Sequence, residues 1–253
     1  MHQQRVNKKK VQTGFTKSIK TYKQHATVQE TIAVKLINKL RQVSYGKFNS
    51  VLEIGCGPAV LTEKFVNSFA FESYRANDIV KEFEKIVHHI HPKIHFLGGD
   101  IETVELPKYM DLIISSSTFQ WLDDLPTLLK RLHKILNIKG LLAFTSFGLY
   151  NYREIRDVEG KGLHYISPTK HRQLLSEQFD IVWSDSEIIK WYFTTPLSVL
   201  QHMKQTGVNS LPEKVWTKAD LCRFTNKYID LFGTELGVPL TYNPLYFIAK
   251  PKK

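Results

Sequence analysis

Only two cysteines, Cys56 and Cys222, stand in 253 residues, too few for a disulfide framework, which points to a reducing, cytoplasmic interior. No apolar run approaches the roughly 18 residues of a membrane-spanning helix, and no apolar signal core follows the basic N-terminus. Neither export nor a membrane partner is expected. Acidic residues are missing from positions 1–29, where Arg5, Lys8, Lys9, Lys10, Lys17, Lys20 and Lys23 stand unopposed within a net charge of +11. Such an arm suits a polyanion or an acidic protein, and residues 1–12 read as a flexible basic tail. Apolar content of 42% and charge of 23% are ordinary for a globule, and the length fits one domain, taken as 13–253.

Two further absences narrow the ligand. Around Val51-Leu52-Glu53-Ile54-Gly55-Cys56-Gly57-Pro58-Ala59 an apolar β-rich run ends in Glu53 and breaks into a turn with two glycines, before a helical pattern at Leu61, Phe65, Val66 and Phe69. Strand, Gly turn, helix opens a doubly wound sheet that binds ligands beyond the carboxyl ends of its strands. Yet Val60 stands where a dinucleotide fingerprint needs Gly or Ala, no Gly-Lys-Ser/Thr follows, and Pro58 has no N–H for a phosphate. The turn suits a nucleoside with no phosphate to cradle. A second strand-like stretch ends in Asp78, at the spacing of a carboxylate that accepts both ribose hydroxyls. A third, Ile94-His95-Phe96-Leu97, leads to Gly98-Gly99-Asp100-Ile101, where a carboxylate and the next backbone N–H could read an adenine edge. Adenosine without phosphates points to S-adenosylmethionine.

The N-terminal segments around 15–22 and 28–40 read as helices, with Tyr22 in the hinge of a lid. From 50 to 147 strand and helix alternate: strands 50–54, 73–78, 94–97, 111–115 and 141–146, helices 61–70, 80–90 and 124–137. That order means a parallel sheet covered by helices. His88, His89 and His91 read as a solvated helix end, and no metal is expected. Residues 148–166 are loop-like, then come a helix from Ser167 to about 177, a strand over 179–194, helices near 196–205 and 217–232, and a last strand over 240–250. Residues 148–234 are expected to form a helical insertion that shapes the acceptor pocket. The fourth strand ends in Ser115-Ser116-Ser117-Thr118-Phe119-Gln120-Trp121, without the Asn/Asp-Pro-Pro-aromatic run of amino-group methyltransferases, which argues against base methylation and a nucleic-acid partner.

The Glu53–Pro58 turn, Asp78 and Gly99-Asp100-Ile101-Glu102 resemble class I S-adenosylmethionine-dependent methyltransferases. Four segments are similar, more specifically, to the malonyl-acyl-carrier-protein O-methyltransferase family of biotin synthesis: Thr21-Tyr22 with Ala26 and Val28-Gln29; Phe119-Gln120-Trp121-Leu122; Leu200 with His202-Met203-Lys204-Gln205-Thr206-Gly207-Val208-Asn209; and Pro239-Leu240-Thr241-Tyr242 with Ala249-Lys250. The first two segments also resemble other small-molecule methyltransferases, trans-aconitate methyltransferases among them. Ala59 stands where a third glycine is common, and Ser116 where Asn is usual. The resemblance implies a seven-stranded Rossmann-like α/β sheet with N-terminal lid helices. It implies methyl transfer from S-adenosylmethionine, leaving S-adenosylhomocysteine, to the free carboxylate of malonyl-acyl carrier protein. Tyr22, also assigned a direct catalytic part, and Gln29 would close over the cofactor; Gly55 and Gly57 would hold its amino-acid end, Asp78 its ribose, and Asp100 with Ile101 its adenine. Glu53, Cys56, Asn77, Ile79, Gly99, Ser115, Ser116 and Gln120 complete that set.

The residues suit such chemistry. A malonyl carboxylate is ionised at neutral pH, so no general base is needed and no Ser-His-Asp set is expected. Carboxylate and sulfonium charges cancel in the displacement, so a dry pocket helps, whereas a strong cation would stabilise the substrate instead. Aromatic walls from Tyr22, Phe119, Trp121 and Phe147 are expected, with Arg153 as the one modest cationic partner. A methyltransferase for another small acid, or a non-catalytic cofactor-binding module, are the alternatives.

Overall fold

The structure is a computed structural model that describes residues 6–44, 46–160, 162–208 and 216–253. Asn209, in the run singled out above, lies outside them. Three helices lead the chain: α1 (Lys8–Ser18), the single turn α2 (Tyr22–His25) and α3 (Thr27–Val43). Then β1 (Lys47–Ile54), α4 (Val60–Val66), β2 (Ala70–Asp78), α5 (Glu84–His88), β3 (Ile94–Gly98), β4 (Met110–Ser115), α6 (Leu125–Ile135) and β5 (Leu136–Phe147) alternate. The remainder is α7 (Arg153–Glu159), α8 (Pro168–Ser176), β6 (Phe179–Ser186), β7 (Ile189–Phe193), α9 (Pro196–Gln205), α10 (Lys218–Phe232), β8 (Val238–Tyr242) and β9 (Pro244–Pro251). Seven strands form one sheet in the order β3-β2-β1-β4-β5-β9-β6, parallel as far as β5 and antiparallel across β9.

The central strands are apolar almost without alternation because both faces are covered. On one face, helices α3 and α4 pack Leu36, Leu40 and Phe65 over Val51 and Tyr74; on the other, Leu128, Leu132 and Leu175 from α6 and α8 lie with Phe144 and Phe247. A third core joins Val28 and Ile32 of α3 to Phe147, Tyr152, Met203, Phe224, Tyr228 and Tyr242, so the late helices rest on the N-terminal ones. Side-chain caps set their starts: Ser167 accepts the Lys170 N–H, Thr195 that of Ser198, and Thr217 forms a capping box with Asp220.

Five expectations change. Residues 8–12 are no tail: Asn7 caps α1 by accepting the Lys10 N–H at 3.0 Å. The strand expected over 179–194 breaks into β6 and β7, and that over 240–250 joins an earlier piece, β8, to β9. The pieces β7 and β8 pair with each other outside the main sheet. Alternation read along one run cannot show a change of partner. Within the expected loop 148–166 lies α7, whose Glu154 is fully buried and accepts the Thr241 N–H at 2.9 Å. The helix over 80–90 is a 3-10 turn followed by α5.

Gly207, just past α9, shows how tightly α1 is docked. It has φ +71°, and a Cβ there would lie 2.7 Å from the Phe15 ring and 2.7 Å from Ser18 Oγ. Gly160 has a similar φ of +68° with nothing within 4 Å. Gly207→Ala is expected to lose about 1–3 kcal/mol from strain and clash together, and Gly160→Ala only the strain. Thermal melting compares them; equal melting points would mean that α1 does not press on Gly207.

Candidate active site

The strand order reverses between β1 and β4, and the cleft opens beyond their carboxyl ends, as doubly wound sheets place it. Its floor is the turn after β1. Gly55 and Gly57 take φ of +68° and +50°, and a Cβ on Gly55 would lie 2.2 Å from Thr118 Oγ1. The Gly57 N–H donates to Asp78 Oδ2 and the Val80 N–H to Oδ1, each at 2.8 Å. Asp78 thereby ties the turn after β1 to the end of β2. Burial outweighs these bonds and raises its pKa to about 6.

Asn77 binds the carbonyls of Leu97 and Gly99 at 2.8 and 2.9 Å, which fixes the next turn and sets Asp100 on the cleft wall. Asp100 Oδ1 accepts the Glu102 N–H at 3.0 Å; Oδ2 accepts from Lys8 Nζ at 2.6 Å. Lys8 also pairs with Glu102. Partial burial works against the Lys8 charge, yet the two carboxylates prevail and its pKa is raised. The Gln12 amide donates to the Ile79 carbonyl at 3.0 Å, so α1 lies across the cleft as a strap.

Of the expected cofactor residues, Tyr22, Gln29, Gly55, Cys56, Gly57, Asn77, Asp78, Ile79, Gly99, Asp100, Ile101 and Ser116 all line the cleft. Two act from beneath instead. Glu53 is fully buried, its Oε2 accepting from Thr62 and Tyr74 at 2.7 and 2.6 Å, and burial raises its pKa to about 7. Ser115 donates to the Ile54 carbonyl at 2.7 Å.

A smaller inner chamber adjoins the cleft, with Phe15, Tyr22, Gln29, Ser117 and Trp121 common to both. Gln120 and Phe147 line this inner chamber, with Asn151, Tyr152 and Tyr165. It is a cavity of about 20 Å³, room for about one water. Two expected acceptor residues are elsewhere. Phe119 is buried and stacks on Phe144 with centroids 4.1 Å apart, which makes it core. Arg153 opens α7, pairs with Glu154 at 3.4 Å and lines neither space. Lys8, Phe15, Ser117, Asn151, Tyr152 and Tyr165 were not expected. Their approach depends on loops and helices far apart in the chain, and no spacing motif marks it.

Four buried polar atoms in these walls have no hydrogen-bond partner among the described residues: Gln29 Oε1, Gln120 Oε1, Ser117 Oγ and Trp121 Nε1. Unsatisfied buried groups are rare and call for an explanation. A ligand bearing an ammonium, ribose hydroxyls and an adenine suits the acceptors on this wall, which include Gln29 Oε1, Asp78 and Asp100. S-adenosylmethionine carries all three.

A Gly turn after the first strand, an acid ending the second, and a 3-2-1-4-5 parallel order with an antiparallel pair define a class I methyltransferase. A family model described as "Methyltransferase domain" matches residues 52–144. The N-methyltransferase NodS of Bradyrhizobium japonicum, solved with S-adenosyl-L-homocysteine, shares the fold with a TM-score of 0.51 at 16% identity, over 88% of this chain and 86% of that one. The malonyl-[acyl-carrier protein] O-methyltransferase of Bacteroides thetaiotaomicron is 36% identical over 260 residues, covering 98% of this chain and 100% of the relative. Its namesake in Chlorobium luteolum is 37% identical over 250 residues, 96% and 95% of the two chains. The chain belongs to the malonyl-[acyl-carrier protein] O-methyltransferase family.

Ribose hydroxyls donate best to an ionised Asp78. Binding of S-adenosylhomocysteine should therefore tighten as pH rises through about 6 and level off above it. The sign for ligand-free stability is opposite: a raised carboxyl pKa contributes stability that is full below the unfolded value of 3.8 and is lost as pH rises through about 6. Calorimetric titration should show about tenfold weaker binding at pH 5 than at pH 7.5. Asp78→Asn should bind weakly and without that dependence; an unchanged profile in this variant would remove Asp78 from the ribose site.

Proposed function

We propose that this chain methylates the free carboxylate of a malonyl group carried as a thioester on acyl carrier protein. The product is the methyl ester that starts pimeloyl synthesis for biotin. The observation that carries the chemistry is the inner chamber: among the described residues, no Lys, Arg, His, Asp or Glu lines it. An acceptor that must lose a proton would need a base there, and an acceptor that arrives as a carboxylate does not. Full-length similarity to relatives bearing that activity in their names supports the carrier-bound malonyl group as the particular acid.

Bound S-adenosylmethionine supplies an electrophilic methyl on a sulfonium, which a carboxylate oxygen takes with no proton to move. The work left to the protein is alignment and exclusion of water. Oriented reactants gain roughly 7–11 kcal/mol over free ones. The Gly turn, Asp78, Asp100 and Gln29 would hold the cofactor, and Phe15, Tyr22 and Trp121 bound the space in which the two reactants meet. Phe15 meets Trp121 edge-on with centroids 6.0 Å apart and lies 6.2 Å from Tyr22, so these rings brace one another. Burial, and less so the Asp78 charge, raises the pKa of Tyr22, keeping its hydroxyl protonated. We assign Tyr22 a catalytic part as a neutral donor at the methyl-transfer centre, not as a base.

Incubation with methyl-labelled S-adenosylmethionine should place a base-labile label on malonyl-acyl carrier protein. If a free small acid such as trans-aconitate is labelled while the malonyl carrier is not, the carrier-bound substrate is wrong and only the wider carboxyl methyltransferase reading survives.

A further inference from the structure

Two of the four unpartnered polar atoms are hydrogen-bond donors, the Trp121 indole N–H and the Ser117 hydroxyl. Both residues belong to the wall shared by the cofactor cleft and the inner chamber. Leaving a buried donor unsatisfied forfeits its bond to water with nothing in return, so two in one wall mark a place where an acceptor belongs. Ser117 is also held in the left-handed region, with φ +56°, an uncommon conformation for a side chain with a Cβ. Its N–H donates to Thr145 Oγ1 at 2.8 Å and its carbonyl accepts from the Gln120 amide at 2.5 Å. Those bonds fix the backbone while the hydroxyl stays unused. Lys8, on the cleft wall, is engaged by Asp100 and Glu102, and Arg153, expected from the sequence, pairs with Glu154 and lines neither space.

We propose that the carboxylate which accepts the methyl is held by two uncharged donors, Trp121 Nε1–H and Ser117 Oγ–H, and by no cation. The assignment rests on the carboxyl-methylation reading and gives that site its anchoring residues. The choice of donors has a chemical consequence. Hydrogen bonds to an ionised acceptor are roughly twice as strong as those between neutral groups. Neutral donors therefore grip the carboxylate but weaken once it becomes an ester, which favours release of the product. A guanidinium or ammonium would deepen the ground state, whose charge the displacement must cancel.

Trp121→Phe keeps the ring and deletes the N–H. Ser117→Gly deletes the hydroxyl and removes the positive-φ strain, so it should fold at least as well as the parent chain; Ser117→Ala is its strained control. For each variant the experiment measures kcat and KM for malonyl-acyl carrier protein. It also measures inhibition by the malonyl methyl ester on the same carrier, and the melting point. The expected result is a KM raised about tenfold or more, from loss of a hydrogen bond to a charged group, with a smaller change in kcat. Preference for acid over ester should fall towards one. A merely structural role would weaken acid and ester alike. Unchanged KM and unchanged acid-over-ester preference in Trp121→Phe and Ser117→Gly, with the parent chain active on malonyl carrier, would overturn the anchors while leaving the methylation reading intact. A parent chain inactive on malonyl carrier overturns both.

Discussion

The carboxylate that organises the cleft has no Lys or Arg paired with it among the described residues. Asp78 is held by two backbone N–H groups, from Gly57 and Val80, and little else offsets its burial. That pairing draws the turn after β1 against the end of β2. The neighbouring parts follow in order: Glu53 and Tyr74 underpin the turn, Asn77 locks the next loop, and Asp100 stands one strand further along the wall. Glu53, Asn77 and Asp100 each stand at or just past the end of a parallel strand.

The inner chamber has a different construction. Its walls come from α1, α2 and α3 on one side and from the segments after β4 and β5 on the other, joined by the third core. Away from the four unsatisfied atoms, polar groups in and behind this lining bond to one another. The Asn151 amide donates to the Tyr165 hydroxyl at 2.8 Å and its carbonyl oxygen accepts the Asn243 N–H at 3.1 Å. His202 shares a 2.6 Å hydrogen bond with Tyr242, and burial lowers its pKa to about 4, which keeps it neutral. With no charged side chain in its lining among the described residues, the chamber is a space of low polarity, the surroundings in which a displacement between opposite charges is favoured.

The cofactor cleft was readable because it is local. Gly55, Asp78 and Asp100 each follow a strand, and strand ends are marked in the chain by an apolar run meeting a glycine or an acid. The fold was readable for the same reason as far as β5. Beyond that point pairing is long-range: β9 inserts between β5 and β6, and β7 leaves the sheet to join β8, neither of which alternation encodes. Phe119 and Trp121 show the limit at a finer scale. They are two residues apart on one 3-10 turn, yet one stacks on Phe144 in the core and the other walls the cleft. Lys8 looked like part of a solvated arm because its partners lie some 92 and 94 positions away.

Phe15, Tyr22 and Trp121 border both spaces, and the inner one in this closed arrangement is too small for a malonyl group. Acceptor entry therefore requires displacement of rings that also wall the larger cleft. The two spaces share a door. Selectivity engineering inherits the coupling: trimming Phe15 to admit a bulkier acid would loosen the neighbouring ligand at the same stroke, so acid preference and cofactor residence time cannot be tuned through that ring independently.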